Sequence, residues 1–374
     1  MSKKVLLATR PLVPPWDEAS KNFAYFLGKQ VRGHALTLLT TRELLQGLPE
    51  TVRQENIFSS GHFTLKTKSE LFSYLRKVRE DFDITHYLFT PTRQNIILIK
   101  HLAKPTHGKT LQTIATLRDD LYSPKTLRTM LFADHLVTYT DIAKQKLLAL
   151  GFENVTLIYP GIDLTLYQPR KKSEIVLKTY GLTPDDFFVI YPGEYTRLGA
   201  TDMLAKTFLQ YFTEHPDSHT RFLFACRIKN EADRAKREEL KKNIQQAGLE
   251  KKILFEENPA TTNMAALYNT ADAVVFPVEN LRGKFDVPLV IIEAYACGTP
   301  VILSDLPQFR EFANDDICVT IPKDSGAKLI EKVAYLRDNK EERLRLGENA
   351  RRFTEENFDL KNTAKQYEEI YDSL

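Results

Sequence analysis

Apolar and polar positions alternate in blocks along the chain. Short apolar runs come first: "KVLLAT" (Lys4 to Thr9), "GHALTLLTT", "ITHYLFT", "GKTLQTIATL", "DHLVTYT" and "NVTLIYPG". Helically spaced stretches such as "FAYFLGKQV" lie between them. Short runs bounded by turn residues read as buried strands, and their alternation with helices predicts βαβ units and a parallel sheet. After "YPGIDLTLYQPRKK" the pattern restarts with "DDFFVIYPGEYTRLGA", the helix "TDMLAKTFLQYF", and the strands "TRFLFACRIK", "KKILFEE", "ADAVVFP", "TPVILSD" and "ICVTIP". The reading is α/β, two halves that are each a doubly wound sheet. The polar, proline-containing stretch Gln168 to Lys172 sets the division. It separates residues 1–168 from 169–355, and a helical tail, 356–374, follows.

The charge-rich segment "RIKNEADRAKREELKKN" mixes signs at helical spacing and reads as a solvated helix face. With 52 basic and 49 acidic residues the net charge is only +3, so nothing demands nucleic acid as a partner. Cys226, Cys297 and Cys318 are widely spaced and odd in number, which favours a reducing cytoplasm over a disulfide framework. No stretch approaches the roughly 20 apolar residues of a membrane span. The basic helix around Tyr74 to Glu80 leaves a peripheral contact with the inner membrane face open, beside the plainer reading of a solvated helix.

One segment stands out against this background: "KFDVPLVIIEAYACGTPVILSD", Lys284 to Asp305. Pro288 suits the first turn of a helix, Asp286 lies just ahead of it, and Gly298 suits the exit. Between them Glu293 is the one acid in an otherwise apolar helix. An ionised carboxylate there needs donors. Ribose hydroxyls at the carboxyl end of the sheet would serve, and the helix N-terminus ahead would take a phosphate. The residues alone equally allow Glu293 to meet solvent or an arginine.

The stretch Leu289 to Val301, with "LIYPGIDLTLYQP" and "NMAALYNTADAVVFP", resembles the nucleotide-binding half of the family 4 retaining glycosyltransferases, glycosyl transferases group 1. The resemblance implies the GT-B fold, two Rossmann-like domains facing across a cleft, with the C-terminal helix crossing back to the first domain. It makes Glu293 the carboxylate that binds the donor's ribose. The family often carries a second acid eight positions earlier, but Phe285 stands there. Its role, contact with the donor sugar, passes to Asp286, one residue on. Lys284 and the backbone of Val287, Pro288, Leu289 and Val290 would line the same pocket. Asn258, in "FEENPATTNM", would flank the base.

Cleaving a sugar–diphosphate bond leaves negative charge that preplaced positive groups must stabilise. Asp81 and Asp83 have the letters of a metal-binding pair but precede their strand, so no metal is expected. The charge falls to Arg and Lys. The family's basic pair is missing from the loop "YPGEYTRLGATD": Glu194 holds the arginine position and Leu198 the lysine position. Arg197, Arg227 and Lys229 are the substitutes, with Gly193 and Gly199 opening the backbone to phosphate. On the acceptor side the candidates are Trp16, Asp17, Ser20 and Lys21 in the first loop, His86 on a strand, and Arg118.

The reading implied is metal-independent transfer of a sugar, with retention, from a nucleotide-diphosphate sugar to a saccharide or lipid-linked acceptor. The donor is UDP- or GDP-linked and no cofactor is required. The alternatives are an epimerase or hydrolase of the same fold, or a non-catalytic nucleotide-sugar-binding scaffold.

Overall fold

The computed structural model describes residues 2–14, 19–88, 92–257, 262–281 and 286–374. The chain divides into two compact units. Met1–Gly161, Phe285–Val287 and Phe358–Leu374 form the first; Ile162–Lys284 and Pro288–Asn357 form the second. The division thus falls at Gly161, ahead of the Gln168 read from composition.

In the first unit the order is β1 (Lys4–Leu12), α1 (Ala19–Gln30), β2 (Ala35–Thr40), β3 (Arg53–Asn56), α2 (Leu65–Lys77), β4 (Ile84–Tyr87) and α3 (Arg93–Leu98). β5 (Lys109–Ile114), α4 (Pro124–Met130), β6 (His135–Thr138), α5 (Asp141–Ala149) and β7 (Val155–Leu157) complete it. The strands pair in the order β3-β2-β1-β4-β5-β6-β7, all parallel. β1 runs past Thr9 to Leu12 because its register against β2 shifts between Leu7 and Leu12. Such an irregularity tolerates Pro11, which has no N–H for a ladder.

The second unit holds α6 (Glu174–Tyr180), β8 (Phe187–Tyr191), α7 (Thr201–Glu214), β9 (Thr220–Phe224), α8 (Glu231–Gln246), β10 (Ile253–Phe255) and α9 (Met264–Thr270). Then come β11 (Ala273–Phe276), α10 (Leu289–Ala296), β12 (Val301–Ser304), β13 (Val319–Ile321), α11 (Gly326–Asp338) and α12 (Lys340–Asn357). Its six strands lie in the order β10-β9-β8-β11-β12-β13, again all parallel. β8 and β11 are buried at every position, as expected for parallel strands covered by helices on both faces. The strand order reverses between β8 and β11, and ligands bind beyond the carboxyl ends of strands at such a point.

The last helix, α13 (Leu360–Ser373), belongs to the first unit. Its apolar stripe of Ala364, Tyr367, Ile370 and Tyr371 packs with Val5, Leu7, Leu36 and Leu38 of the sheet. Gly161 makes the approach possible, since a Cβ there would run into the backbone of Leu360.

α10 starts at Leu289 with Pro288 as its N-cap residue. It ends at Gly298, whose φ of 72° is the left-handed value expected of a C′ glycine. α12 packs beneath it: a Cβ on Gly347 would meet the Gly298 carbonyl. Among the described residues, no helix is long and apolar enough to cross a membrane.

Candidate functional site

Glu293 occupies the second turn of α10, on a helix whose Ile291, Ile292, Ala294, Tyr295 and Ala296 are buried. It is itself partly buried. The donors it needs come first from the protein. Tyr268, fully buried on α9, donates its hydroxyl to Glu293 Oε2 at 3.3 Å. The Tyr167 hydroxyl also acts on the carboxylate, lowering its pKa, and the two tyrosine rings lie 6.4 Å apart. Burial pushes the Glu293 carboxyl up to about 7, against the hydroxyls of Tyr167 and Tyr268 and the positive charge of Arg227. Burial, then the Glu293 charge, pushes the neighbouring Cys297 thiol up to about 12. Both tyrosines lay within the segments that carry the family resemblance. Only their position next to Glu293 makes them part of the site.

Arg351 of α12 fixes this group from behind. Its Nη1 donates to the carbonyls of Tyr167, at 2.8 Å, and Ala296, at 2.7 Å. One guanidinium thereby holds both the tyrosine's segment and the end of α10.

The basic residues gather on the loops after β8 and β9. Glu194 is buried, and its carboxylate takes Arg197 Nε at 2.7 Å and Nη2 at 2.9 Å. Lys229 Nζ reaches the same carboxylate at 3.0 Å. A parallel β-bridge joins Glu194 to Arg227, whose charge is felt at Glu293. The structure thus brings Arg197 and Lys229 together on one acid and the backbone of Arg227 beside it, while Leu198 is fully buried.

The two glycines need a different explanation from the one given by sequence. The ring of Tyr191 fills the space beside Gly193 where a Cβ would stand. At Gly199, with φ of 77°, the Glu279 carboxylate does so. These glycines make room for the protein's own side chains.

Asp286 does not cap α10. Its backbone N–H donates to Ala115 O at 3.0 Å, and its carboxylate accepts from the Leu117 N–H at 3.2 Å. Val287 and Pro288 are buried, and Leu289 and Val290 are partly exposed in the first turn. Asn258, Lys284, Phe285, Trp16 and Asp17 lie outside the described residues.

Several acceptor-side candidates are committed elsewhere. His86 is fully buried, with Nδ1 2.8 Å from the Tyr371 hydroxyl and Nε2 2.7 Å from the Thr113 hydroxyl. Burial pushes its pKa down to about 3. It is a neutral core group, and its place inside β4, where every residue is buried, removes it from the candidate set. Lys21 is buried and donates to Val13 O at 3.3 Å. Arg118 forms a bidentate pair with Asp120, at 2.8 and 3.0 Å. Ser20 is partly exposed near the start of α1. Asp83, before β4, accepts from the Lys4 N–H at 2.7 Å, a structural bond.

Residues 206–353 match the family described as Glycosyl transferases group 1. The chain is 26% identical over 182 residues to the D-inositol 3-phosphate glycosyltransferase of Thermobispora bispora, covering 48% of this chain and 41% of the relative. To the enzyme of the same name from Corynebacterium glutamicum it is 23% identical over 297 residues, covering 75% and 70%. The first alignment therefore spans less than half of its relative. Among solved structures, Anabaena HepE in complex with UDP-glucose superposes with a TM-score of 0.74 at 14% identity, covering both chains in full. Sucrose-phosphate synthase from Thermosynechococcus elongatus gives 0.77 at 16% identity, covering 99% of this chain and 98% of that one. The fold is GT-B, two Rossmann-like units in one chain. The likeness read from Leu289 to Val301 thus extends across residues 206–353, the segment that matches the glycosyl transferases group 1 family.

Proposed function

We propose that the protein is a family 4 retaining glycosyltransferase that moves a sugar from a nucleotide-diphosphate donor to a saccharide or lipid-linked acceptor. One observation carries the reading. Beyond the carboxyl edge of the second sheet, at its switch point, a carboxylate hydrogen-bonded by Tyr268 feels the charge of Arg227, whose loop also carries Lys229. In this reading Glu293 accepts hydrogen bonds from the donor's ribose. Arg197, Arg227 and Lys229 stabilise the charge that develops on the departing diphosphate, which is where electrostatic catalysis gains most. The acceptor attacks the face that the diphosphate leaves, so no enzyme nucleophile and no metal is required. Asp286 contacts sugar hydroxyls. The UDP-glucose complex of the Anabaena protein favours a UDP-linked donor. A soluble enzyme of the cytoplasm, in contact with the inner membrane face where its acceptor is a lipid, fits this chemistry.

The test is thermal shift with UDP, GDP and ADP, followed by assay of diphosphate release from the matching sugars with and without saccharide acceptors. Stabilisation by one nucleotide and acceptor-dependent turnover are expected. Glu293→Ala should lower donor binding or turnover at least tenfold in a folded protein. Binding without turnover under any acceptor would favour a scaffold, and a product still linked to nucleotide an epimerase.

A further inference from the structure

Glu194 stands where the family resemblance calls for a phosphate-binding arginine, which on its face removes a cation and adds an anion. The loops around it show a different arrangement. Its carboxylate is 4% exposed and binds a cation from each of two loops: Arg197 from its own and Lys229 from the loop after β9. A second buried acid, Asp233 of α8, repeats the stitch. It accepts from the Thr196 hydroxyl at 2.7 Å and from the Lys229 N–H at 3.1 Å. The bridge between Glu194 and Arg227 closes the backbone between the same loops. Two loops that meet only because β8 and β9 are neighbours are thus fastened three times.

The cations themselves are not buried. The side chains of Arg197 and Lys229 are 38% and 43% exposed, while the acid beneath them is almost wholly covered. An acid so placed is shielded from an incoming ligand by the two cations it holds. Arginine and lysine side chains are rotamer-rich, and fixing them before a ligand arrives lowers the cost of binding. Two cations share the Glu194 carboxylate, so their charge is not fully spent on it.

We infer that Glu194 is a positioning residue for a diphosphate seat: it presets Arg197 and Lys229 across two loops so that their exposed heads receive a pyrophosphate group. This rests on the nucleotide-sugar reading above. It assigns to an acid, acting through two cations, the place that an arginine would fill by direct contact. Its neighbour Asp233 serves the same end by fixing the backbone of Lys229.

The two physical accounts of Glu194 differ in sign. If it only neutralises the cations, removing its charge raises the local positive potential and tightens anion binding. If it positions them, removing its charge loosens the seat and weakens binding. Titration calorimetry with inorganic pyrophosphate, and with whichever of UDP, GDP and ADP the wild-type protein binds, decides between them. Glu194→Gln should weaken both ligands about tenfold or more and leave binding of the matching nucleoside, which lacks phosphate, unchanged. Glu194→Asp should fall between the two. Arg197→Lys, which keeps the charge but loses the two-point contact with Glu194, should also weaken pyrophosphate binding, and it serves where Glu194→Gln fails to fold. Unchanged or tighter pyrophosphate binding by Glu194→Gln overturns the inference, as does undiminished binding by Arg197→Lys. A wild-type protein that binds no nucleoside diphosphate overturns the nucleotide-sugar reading, and the inference with it. Nucleotide binding that survives Arg197→Ala and Lys229→Ala undiminished overturns the seat alone.

Discussion

The hydroxyl of Tyr268 donates to the carboxylate of Glu293 at 3.3 Å, so an acid that looked anomalous inside an apolar helix has a protein partner before any ligand arrives. The partnership is incomplete, because burial still holds the carboxyl near 7 instead of its usual 4.5. The folded protein therefore keeps a proton that the unfolded chain releases at lower pH. Stability from this group is fully present below about 4.5 and is lost as the pH rises through about 7. The displacement corresponds to at most about 3 kcal/mol. Glu293→Gln, which imitates the protonated form, should match the wild type near pH 5 and melt several degrees higher at pH 8. A difference that does not change between those two pH values would refute this.

The same bond governs ligand binding in the proposed function, since ribose hydroxyls donate best to an ionised carboxylate. The donor's kcat/KM should fall as the pH drops through about 7. Tyr268→Phe removes a hydrogen bond that lowers the Glu293 pKa, so the acidic limb should move to higher pH in that variant. A pH–rate profile of both proteins checks this; coincident limbs would remove Tyr268 from the mechanism.

What the sequence discloses and what it hides follow from how local each feature is. β8 and β11 are continuous apolar runs and declare themselves. β3, "RQEN", is a polar edge strand known only through its pairing with β2, and no periodicity marks it. Glu293 shows as an acid among apolar neighbours, whereas Tyr268 lies 25 residues away, and folding alone brings them together. Glu194 reads as a lost arginine until β8 and β9 lie side by side and Lys229 comes within 3.0 Å of it. His86 fails as a candidate because its partner Tyr371 comes from the far end of the chain.

His86 carries the opposite pH dependence in the first unit. Both ring nitrogens are engaged and burial lowers its pKa from 6.5 to about 3. The unfolded chain takes up a proton at about 6.5 that the folded one refuses. Stability from this group is present above that pH and is lost as the pH falls toward 3. His86→Asn should be less stable at pH 7, because it leaves a gap beside Tyr367 and Tyr371, whose rings lie 5.4 and 5.8 Å from the imidazole. The deficit against wild type, measured by urea unfolding, should shrink steadily between pH 7 and pH 4. A constant deficit would mean that His86 is not held neutral.

Arg351 tests whether the site depends on support from behind. Its guanidinium joins the Tyr167 carbonyl, the Ala296 carbonyl and, at 2.7 Å, the Glu355 carboxylate. Arg351→Met keeps the apolar stem and loses these bonds. Two carbonyls then lose a charged donor, a loss of about 1–3 kcal/mol. The loosened pieces are the end of α10, which carries Glu293, and the segment that carries Tyr167. Donor affinity should therefore fall severalfold although Arg351 touches no ligand, and the Glu293 pKa should rise as the Tyr167 hydroxyl that lowers it moves away. Following the acidic limb of kcat/KM beside the melting temperature separates the two effects. A lower melting temperature with an unmoved limb would show that Arg351 holds the fold and does not tune the site.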